Sequence, residues 1–138
     1  MFYGLRGYRS RGAGQEIWTV KVLIVDDSKL ARMAVIKALK NLHPEWERME
    51  AGDAAAAVEM IRGNPPDIAL LDYNMPGKDG LTLATEVQAL SPRTTVAVIS
   101  ANHQAEVVQR AAASGAAFLP KPLTEKALGE FLHTVSAR

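Results

Sequence analysis

Residues 67–80 read Asp-Ile-Ala-Leu-Leu-Asp-Tyr-Asn-Met-Pro-Gly-Lys-Asp-Gly, and an apolar run in this stretch ends at one carboxylate, Asp72. The run at 68–71 has no polar face, which is typical of a strand that is buried on both faces of a parallel sheet. Pro76 and the glycines that follow it predict a turn directly afterwards. Ligands bind at the carboxyl ends of strands in open parallel sheets, so Asp72 is predicted to lie in a binding site.

A second apolar run, at 22–25, also ends in carboxylates, Asp26 and Asp27. If both strands are central and parallel, three acids meet at one edge and repel one another unless a cation neutralises them. Hard oxygen ligands favour Mg²⁺, which takes one or two carboxylates, keeps several waters and leaves a position for a phosphate oxygen. For each acid taken singly, the alternative is a helix cap or a turn former.

The length of 138 residues predicts one domain with a core between sheet and helices. Hydrophobic residues make up 48% and charged residues 22%, as in soluble globular proteins. No apolar run approaches the roughly 20 residues that span a bilayer, so a cytoplasmic protein without a membrane contact is expected. The absence of cysteine excludes disulfides, and His43, His103 and His133 are too isolated for a zinc site and are expected to be solvated helix residues.

Residues 1–18 form a compositionally distinct leader, in which glycines and aromatic residues alternate irregularly with Arg6, Arg9 and Arg11. We predict that this leader is disordered or a tag, and that residues 19–138 form the domain. A basic segment with aromatic residues could contact nucleic acid, but three arginines are few, and nucleic-acid binding is not expected.

Strand and helix signals alternate through the domain. Strands are predicted at 22–25, 46–51, 68–71, 94–100 and 116–119, and helices are predicted to begin near Ser28, Asp53, Gly80, Asn102 and Thr124. Parallel strands need crossover connections, so the pattern predicts an α/β, doubly wound five-stranded parallel sheet with five helices. In the first helix, the inward stripe is predicted to be Leu30, Met33, Ala34, Leu39 and Leu42.

Two further polar residues stand at predicted strand ends, Ser100 after the fourth strand and Lys121 after the fifth. A lysine ammonium and a serine hydroxyl can bind phosphoryl oxygens while a cation neutralises the remaining charge, with Asp72 as the nucleophile. Alternatively, Ser100 caps the fourth helix and Lys121 is a loop residue beside Pro122.

Together these residues resemble the CheY-like receiver domains of two-component response regulators, over residues 20–137. The resemblance rests on Asp26 and Asp27, Asp72 with Asn74-Met75-Pro76 and Asp79-Gly80, Ser100, Phe118 and Lys121-Pro122. It implies a flavodoxin-like sheet with the strand order 2-1-3-4-5, the order that CheY itself exemplifies. It also implies a cis peptide bond between Lys121 and Pro122.

By the same resemblance, Asp72 accepts a phosphoryl group from a sensor histidine kinase or a histidine phosphotransfer protein of a phosphorelay. Asp27, Asp72 and the backbone carbonyl of Asn74 would hold Mg²⁺, with Asp26 acting largely through water. Lys121 and Ser100 would then bind the phosphoryl oxygens.

The resemblance further implies a switch, in which the Ser100 hydroxyl is drawn toward the phosphoryl group and Phe118 rotates into the vacated space. The surface of the fourth helix, fifth strand and fifth helix would then change and control a downstream protein target. The alternative for Phe118 is an ordinary core position.

The leader has no counterpart in the minimal receiver, and nothing after Arg138 could serve as an output domain, so the output is expected to be another protein. The domain is expected to be a phosphoacceptor with self-catalysed phosphorylation and dephosphorylation, not an enzyme acting on other substrates. Two other hypotheses are a scaffold that binds partners without phosphorylation and an aspartyl-phosphate phosphatase, whose usual Asp-x-Asp-x-Thr signature is absent.

Overall fold

A computed structural model of the protein describes residues 8–10, 16–18, 20–101 and 105–136. Its centre is a sheet of five parallel strands: β1 (Lys21–Val25), β2 (Glu47–Ala51), β3 (Ile68–Asp72), β4 (Thr95–Ser100) and β5 (Ala117–Pro120). The strand order is β2-β1-β3-β4-β5. The predicted fold class and the order implied by the resemblance are therefore confirmed.

Five helices connect or follow these strands: α1 (Lys29–Leu42), α2 (Ala54–Gly63), α3 (Gly80–Leu90), α4 (Ala105–Ala113) and α5 (Glu125–Ser136). Four of them begin with a side-chain cap, supplied by Ser28, Asp53, Asp79 and Thr124, whose oxygens accept a backbone N–H three residues on. The helix starts predicted near Ser28 and Thr124 are confirmed. Each cap fixes a helix start close behind a strand end, at the edge of the sheet that carries the acids.

The sheet separates two hydrophobic layers. On one face, Leu23, Leu71 and Val98 pack with residues of α2, α3 and α4. On the other face, Ile24 and Leu70 pack with residues of α1 and α5. Alternate residues of a strand point to opposite faces, and every residue of β3 is buried because helices cover both sides. The strand that carries Asp72 thus lies in the middle of the sheet.

The predicted inward stripe of α1 is wrong in its first turns. Leu30 is 78% exposed and Met33 53% exposed, whereas Leu39 is fully buried. The buried face runs through Leu39 and Val35, and its continuation into the first turn holds Arg32. A long arginine stem can be buried while its guanidinium meets polar partners, so hydrophobicity alone assigned the wrong residues to this face.

The expectation for the histidines is wrong at His43. This residue is the C-cap of α1, where its amide donates to the Leu39 carbonyl, and its ring stacks on Trp46 with centroids 3.7 Å apart. Burial lowers the pKa of His43, and the nearby Glu45 carboxylate opposes this shift. His133 is exposed on α5, as expected, and His103 lies outside the described residues.

Within the leader, Tyr8–Ser10 and Glu16–Trp18 pair as two short antiparallel strands. The remaining residues of 1–18 lie outside the described part of the chain, so the division at residue 18 stays a prediction. Among the helices that the structure describes, none combines the length and the apolar character needed to cross a bilayer.

Candidate functional site

Three carboxylates meet at the carboxyl edge of the sheet. Asp26 and Asp27 directly follow β1, and Asp72 is the last residue of β3, its neighbour in the sheet. Each side chain offers one oxygen, and these oxygens all lie within 4.8 Å of one another. Asp26 and Asp72 are buried, whereas Asp27 is exposed. The structure therefore brings together the three acids that sequence reasoning assigned to one site.

A cation from the chain itself faces this cluster. Lys121, directly after β5, places its Nζ 2.7 Å from Oδ1 of Asp72. The Lys121 amide donates to the Ser100 carbonyl over 3.0 Å, which ties the loop after β5 to the end of β4. The Lys121–Pro122 bond is cis, as the resemblance implied.

The Asp72 oxygen that faces Lys121 is buried, yet it accepts no hydrogen bond of acceptable geometry from the described residues. The lysine is close enough to balance the charge as an ion pair, but its alignment does not satisfy the oxygen as an acceptor. A cation bound beside the cluster would coordinate this oxygen.

Burial has the largest effect on the pKa of Asp26. Removal from water raises its pKa above the ordinary value of 3.8. The Ser28 amide, which donates to Oδ1 over 2.9 Å, acts against this shift, while the Asp72 carboxylate adds to it. The charged form of Asp26 is therefore disfavoured in the folded protein, and a bound cation would stabilise it.

The residues of the implied switch lie beside the cluster. Ser100 ends β4 and is fully buried, and β4 pairs with β3 so that Asp72 is opposite Ile99. Phe118 lies opposite Val98 in the next pair and packs in the layer of α2, α3 and α4. Because Ser100 is two residues beyond Val98, which belongs to the same layer, its side chain lies on that face too.

The loop after Asp72 carries Asn74, which is exposed at the same edge. The loop turns at Gly77, whose φ of 84° lies in the left-handed region that glycine favours. It closes where the Gly80 amide donates to the Tyr73 carbonyl over 2.8 Å. The Asn74 carbonyl thus belongs to a short, pinned loop beside the acids.

Sequence reasoning did not single out Arg32 and Glu50. Arg32 donates from Nη1 to the Asp26 carbonyl oxygen over 2.6 Å and from Nε to Glu50 over 2.9 Å. The available signal was an arginine on the face of α1 that Leu39 defines as inward. Arg32 falls on the inward face only when that face is defined by Leu39 and not by all the apolar residues of α1.

The donor set fits a magnesium ion. Three carboxylates are hard oxygen ligands, one of them is exposed to incoming ions, and a buried oxygen lacks a hydrogen bond. No histidine or cysteine belongs to the cluster in the described part of the chain, so a softer metal is not favoured.

Comparison with known proteins shows the family to which this chain belongs. The family model of the response regulator receiver domain matches residues 22–133. The transcriptional regulatory protein NarL of Mycobacterium tuberculosis is 42% identical over 106 residues, which are 76% of this chain and 49% of that protein. A protein-glutamate methylesterase/protein-glutamine glutaminase of Rhodospirillum rubrum is 40% identical over 104 residues, which are 74% of this chain and 28% of that protein. The chain therefore spans about half the length of one relative and less of the other.

Solved structures share the architecture. The signal receiver domain of NarL from Mycobacterium tuberculosis superposes with a TM-score of 0.76 at 38% identity, covering 87% of this chain and 98% of that one. The chemotaxis protein CheY4 of Vibrio cholerae superposes with a TM-score of 0.77 at 28% identity, covering 85% and 98%. The sequence match over most of the domain and the common strand order lead to one conclusion: this chain belongs to the receiver domains of two-component response regulators.

Proposed function

We propose that the domain accepts a phosphoryl group on Asp72 from the phosphohistidine of a sensor kinase or a histidine phosphotransfer protein. The modified domain then presents a changed surface of α4, β5 and α5 to a downstream protein. The reaction belongs in the cytoplasm, where such donors expose their phosphohistidine. The domain supplies both the acceptor and the groups around it, so it catalyses its own modification and does not turn over other substrates.

The observation that carries this proposal is the pairing of Asp72 with Lys121. A buried carboxylate oxygen without a hydrogen bond lies 2.7 Å from an ammonium, at the end of the central strand and within reach of two further acids. A plain structural ion pair would not need the two extra negative charges. An acceptor for phosphoryl transfer needs the nucleophile, a counter-charge and a cation site together.

The transfer itself is a simple displacement. An Asp72 carboxylate oxygen forms a bond to phosphorus while the phosphorus–nitrogen bond of the phosphohistidine breaks, and the imidazole leaves with that electron pair. Negative charge spreads over the phosphoryl oxygens as the group moves. Lys121 is close enough to pair with one of these oxygens, and the Ser100 hydroxyl can donate to another.

Asp26, Asp27, Asp72 and the backbone carbonyl of Asn74 are the groups that would hold Mg²⁺. Bound there, the cation neutralises charge on the transferring group. The exposed Asp27 gives entering cations a first contact, and the buried Asp26 adds a second carboxylate. Repulsion among the three carboxylates is the reason that the domain should not react well without the cation.

Output follows from the position of Ser100 and Phe118 on one face of the sheet, in neighbouring strands. A Ser100 hydroxyl that moves toward the phosphoryl group opens space that the Phe118 ring can occupy. That exchange repacks the layer under α4, beside the β5 strand that carries Phe118. Phosphorylation biases the equilibrium only by the contacts it makes in one of the two states.

The test is chemical labelling with acetyl phosphate and Mg²⁺, followed by intact-mass measurement. We expect one phosphoryl adduct on the wild-type protein, none on Asp72→Asn and none in excess EDTA. Asp53→Asn is the matched control, because Asp53 is an acid that only caps α2, and asparagine caps equally well. An undiminished adduct on Asp72→Asn would disprove the assignment, and repeated turnover of phosphate esters would favour a phosphatase.

A further inference from the structure

Arg32 connects three segments around the acid cluster. Its side chain is only 16% exposed, although it belongs to the first turn of α1. Nε donates to Oε1 of Glu50 on β2 over 2.9 Å, and Nη1 donates to the backbone carbonyl oxygen of Asp26 over 2.6 Å. The guanidinium also passes over Gly52, where an added β-carbon would lie 3.5 Å from Nη1.

The Asp26 backbone is held on both sides. Its amide donates to the Ala51 carbonyl over 3.2 Å, and its carbonyl accepts from Arg32. That carbonyl belongs to the peptide unit that joins Asp26 to Asp27. A peptide unit is planar, so a fixed carbonyl also fixes the direction of the Asp27 amide and α-carbon.

We propose that Arg32 is a positioning residue for the cation site. It holds the Asp26–Asp27 peptide so that both carboxylates lie beside Asp72 before the cation arrives. This inference rests on the proposed function, because it assigns Arg32 to the magnesium site proposed above. Groups that orient metal ligands from behind typically change metal affinity 10–100-fold when they are removed, and Arg32 occupies such a place.

The chemistry of arginine explains why this residue type suits the position. Its planar guanidinium offers donors along one rigid edge, so a single side chain reaches Glu50 and the Asp26 carbonyl at the same time. The Glu50 carboxylate holds the guanidinium in place. A lysine carries the same charge but has one compact ammonium, and it would have to give up one of the two contacts.

The sign of the effect separates positioning from simple electrostatics. Removing a positive charge close to a cation site reduces repulsion, so electrostatics alone predicts tighter Mg²⁺ binding after loss of Arg32. Loss of positioning predicts the opposite, because Asp27 would sample orientations that face away from the site. The two accounts therefore predict opposite changes of the same binding constant.

The experiment is a Mg²⁺ titration of the full, unphosphorylated chain by calorimetry at 25 °C. We expect the Kd to rise about 10–100-fold in Arg32→Met and to rise less in Arg32→Lys. Glu50→Gln, which can still accept from Nε, should change the Kd less than either. Lys37→Met is the matched control, since Lys37 is an exposed cation on the same helix; its loss should change the Kd by about twofold or less, because solvent screens it.

Two further readouts distinguish positioning from loss of stability. In the metal-free protein, the amide resonances of Asp27 and Gly52 should shift in Arg32→Met and stay in place in Lys37→Met. Labelling by acetyl phosphate should recover in Arg32→Met when Mg²⁺ is raised to saturation, because the acceptor and Lys121 are unchanged.

A folded Arg32→Met that binds Mg²⁺ as tightly as the wild type overturns the inference and leaves the proposed function intact. If Arg32→Met does not fold, the test is made with Arg32→Lys. Wild-type Mg²⁺ affinity in that variant also overturns the inference. Failure of the wild-type chain itself to bind Mg²⁺ would overturn both proposals, and it is recognised in the first titration.

Discussion

Gly80 and Asp72 approach so closely that a β-carbon on Gly80 would lie 2.5 Å from the Asp72 carbonyl oxygen. The same atom would lie 2.8 Å from the α-carbon of Tyr73. Both neighbours are backbone atoms, which cannot swing aside as a flexible side chain could. The first residue of α3 therefore packs directly against the backbone of Asp72 and Tyr73. The glycine is required for this close approach and not for a positive φ, unlike Gly77 in the preceding loop.

We predict that Gly80→Ala lowers the free energy of unfolding by about 1–3 kcal/mol, the usual cost of forcing an extra carbon into a packed site. It should also slow labelling of Asp72, because the clash displaces the acceptor backbone. Gly63→Ala is the control, since a β-carbon there meets nothing within 4 Å. Urea unfolding measures the free energy of unfolding of both variants. Equal values for Gly80→Ala and Gly63→Ala would contradict the close contact between Gly80 and Asp72.

A second prediction concerns Asp26 and pH. Its pKa in the folded state is raised, mainly by burial, so the folded protein holds this proton more tightly than the unfolded chain. Wild-type stability should therefore fall as pH rises from below 3.8 through the raised pKa. Asp26→Asn lacks this titration and should be more stable than the wild type at about pH 7 in EDTA.

The advantage of Asp26→Asn should shrink as pH is lowered, and it should shrink also when Mg²⁺ is added. The cation binds the folded wild type and raises its stability by mass action. Asp27→Asn is the comparison, because Asp27 is exposed and its charge is already solvated. If Asp26→Asn is less stable than the wild type at neutral pH without metal, the ionised Asp26 carboxylate does not destabilise the fold, contrary to this prediction.

A third prediction concerns His43, whose pKa is lowered because its ring is buried against Trp46. The unfolded chain takes up this proton near pH 6.5, whereas the folded state resists it. The stabilisation is complete above that pH and is lost as pH falls through it toward the lowered pKa. His43→Phe keeps a ring on Trp46 but should lack this loss.

Urea unfolding at about pH 7.5 and about pH 5.5 measures the effect, as the difference between wild type and His43→Phe. His133→Phe, which replaces an exposed histidine of α5, is the matched control. A pH dependence that survives in His43→Phe would assign the titration to another group.

The fourth prediction tests transmission from Asp72 to α4. Beryllofluoride, a mimic of the phosphoryl group, should perturb amide resonances at Phe118 and in α4 of the wild type. Ser100→Ala should still bind Mg²⁺ but should confine the perturbations to the loops around Asp27, Asp72 and Lys121. In Ser100→Ala, phosphorylation should raise the affinity for the downstream target much less than the about 5–150-fold that is typical of such coupling.

Ser91→Ala is the control for the switch, because Ser91 is also a buried serine but precedes β4, at the opposite edge of the sheet. Its loss should reduce stability without changing how far the perturbations spread. Perturbations that stay local in the wild type would mean that the domain signals by another route.

Much of the fold was predictable because the strands are apolar runs with abrupt ends. The run before Asp72 and the run before Asp26 predicted both the sheet and the edge at which the acids meet. The strand order came from the family resemblance alone, because apolar periodicity carries no information about which strands are neighbours. The cis bond of the Lys121 loop was likewise predicted from the resemblance alone.

Arg32 and His43 show what the sequence could not predict. The local pattern of α1 favoured Leu30 for the buried face, yet the contacts of Arg32 with β2 and the Asp26 carbonyl determine that face. His43 was read as a helix residue because its stacking partner follows beyond the helix end. In both cases the deciding contact involves a different segment, which single-helix patterns do not contain.

The burial of β3 on both faces also bears on how such a domain could diversify. Segments in the middle of a sheet open only with the whole fold, whereas loops and edge positions open at little cost. Asp72 ends a strand that is buried on both faces, while Asp27 and Asn74 lie on exposed loops around it. Under the proposed function, changes in these loops would alter the speed and lifetime of the modification separately from the stability of the strand that carries Asp72, so timing and folding would vary independently.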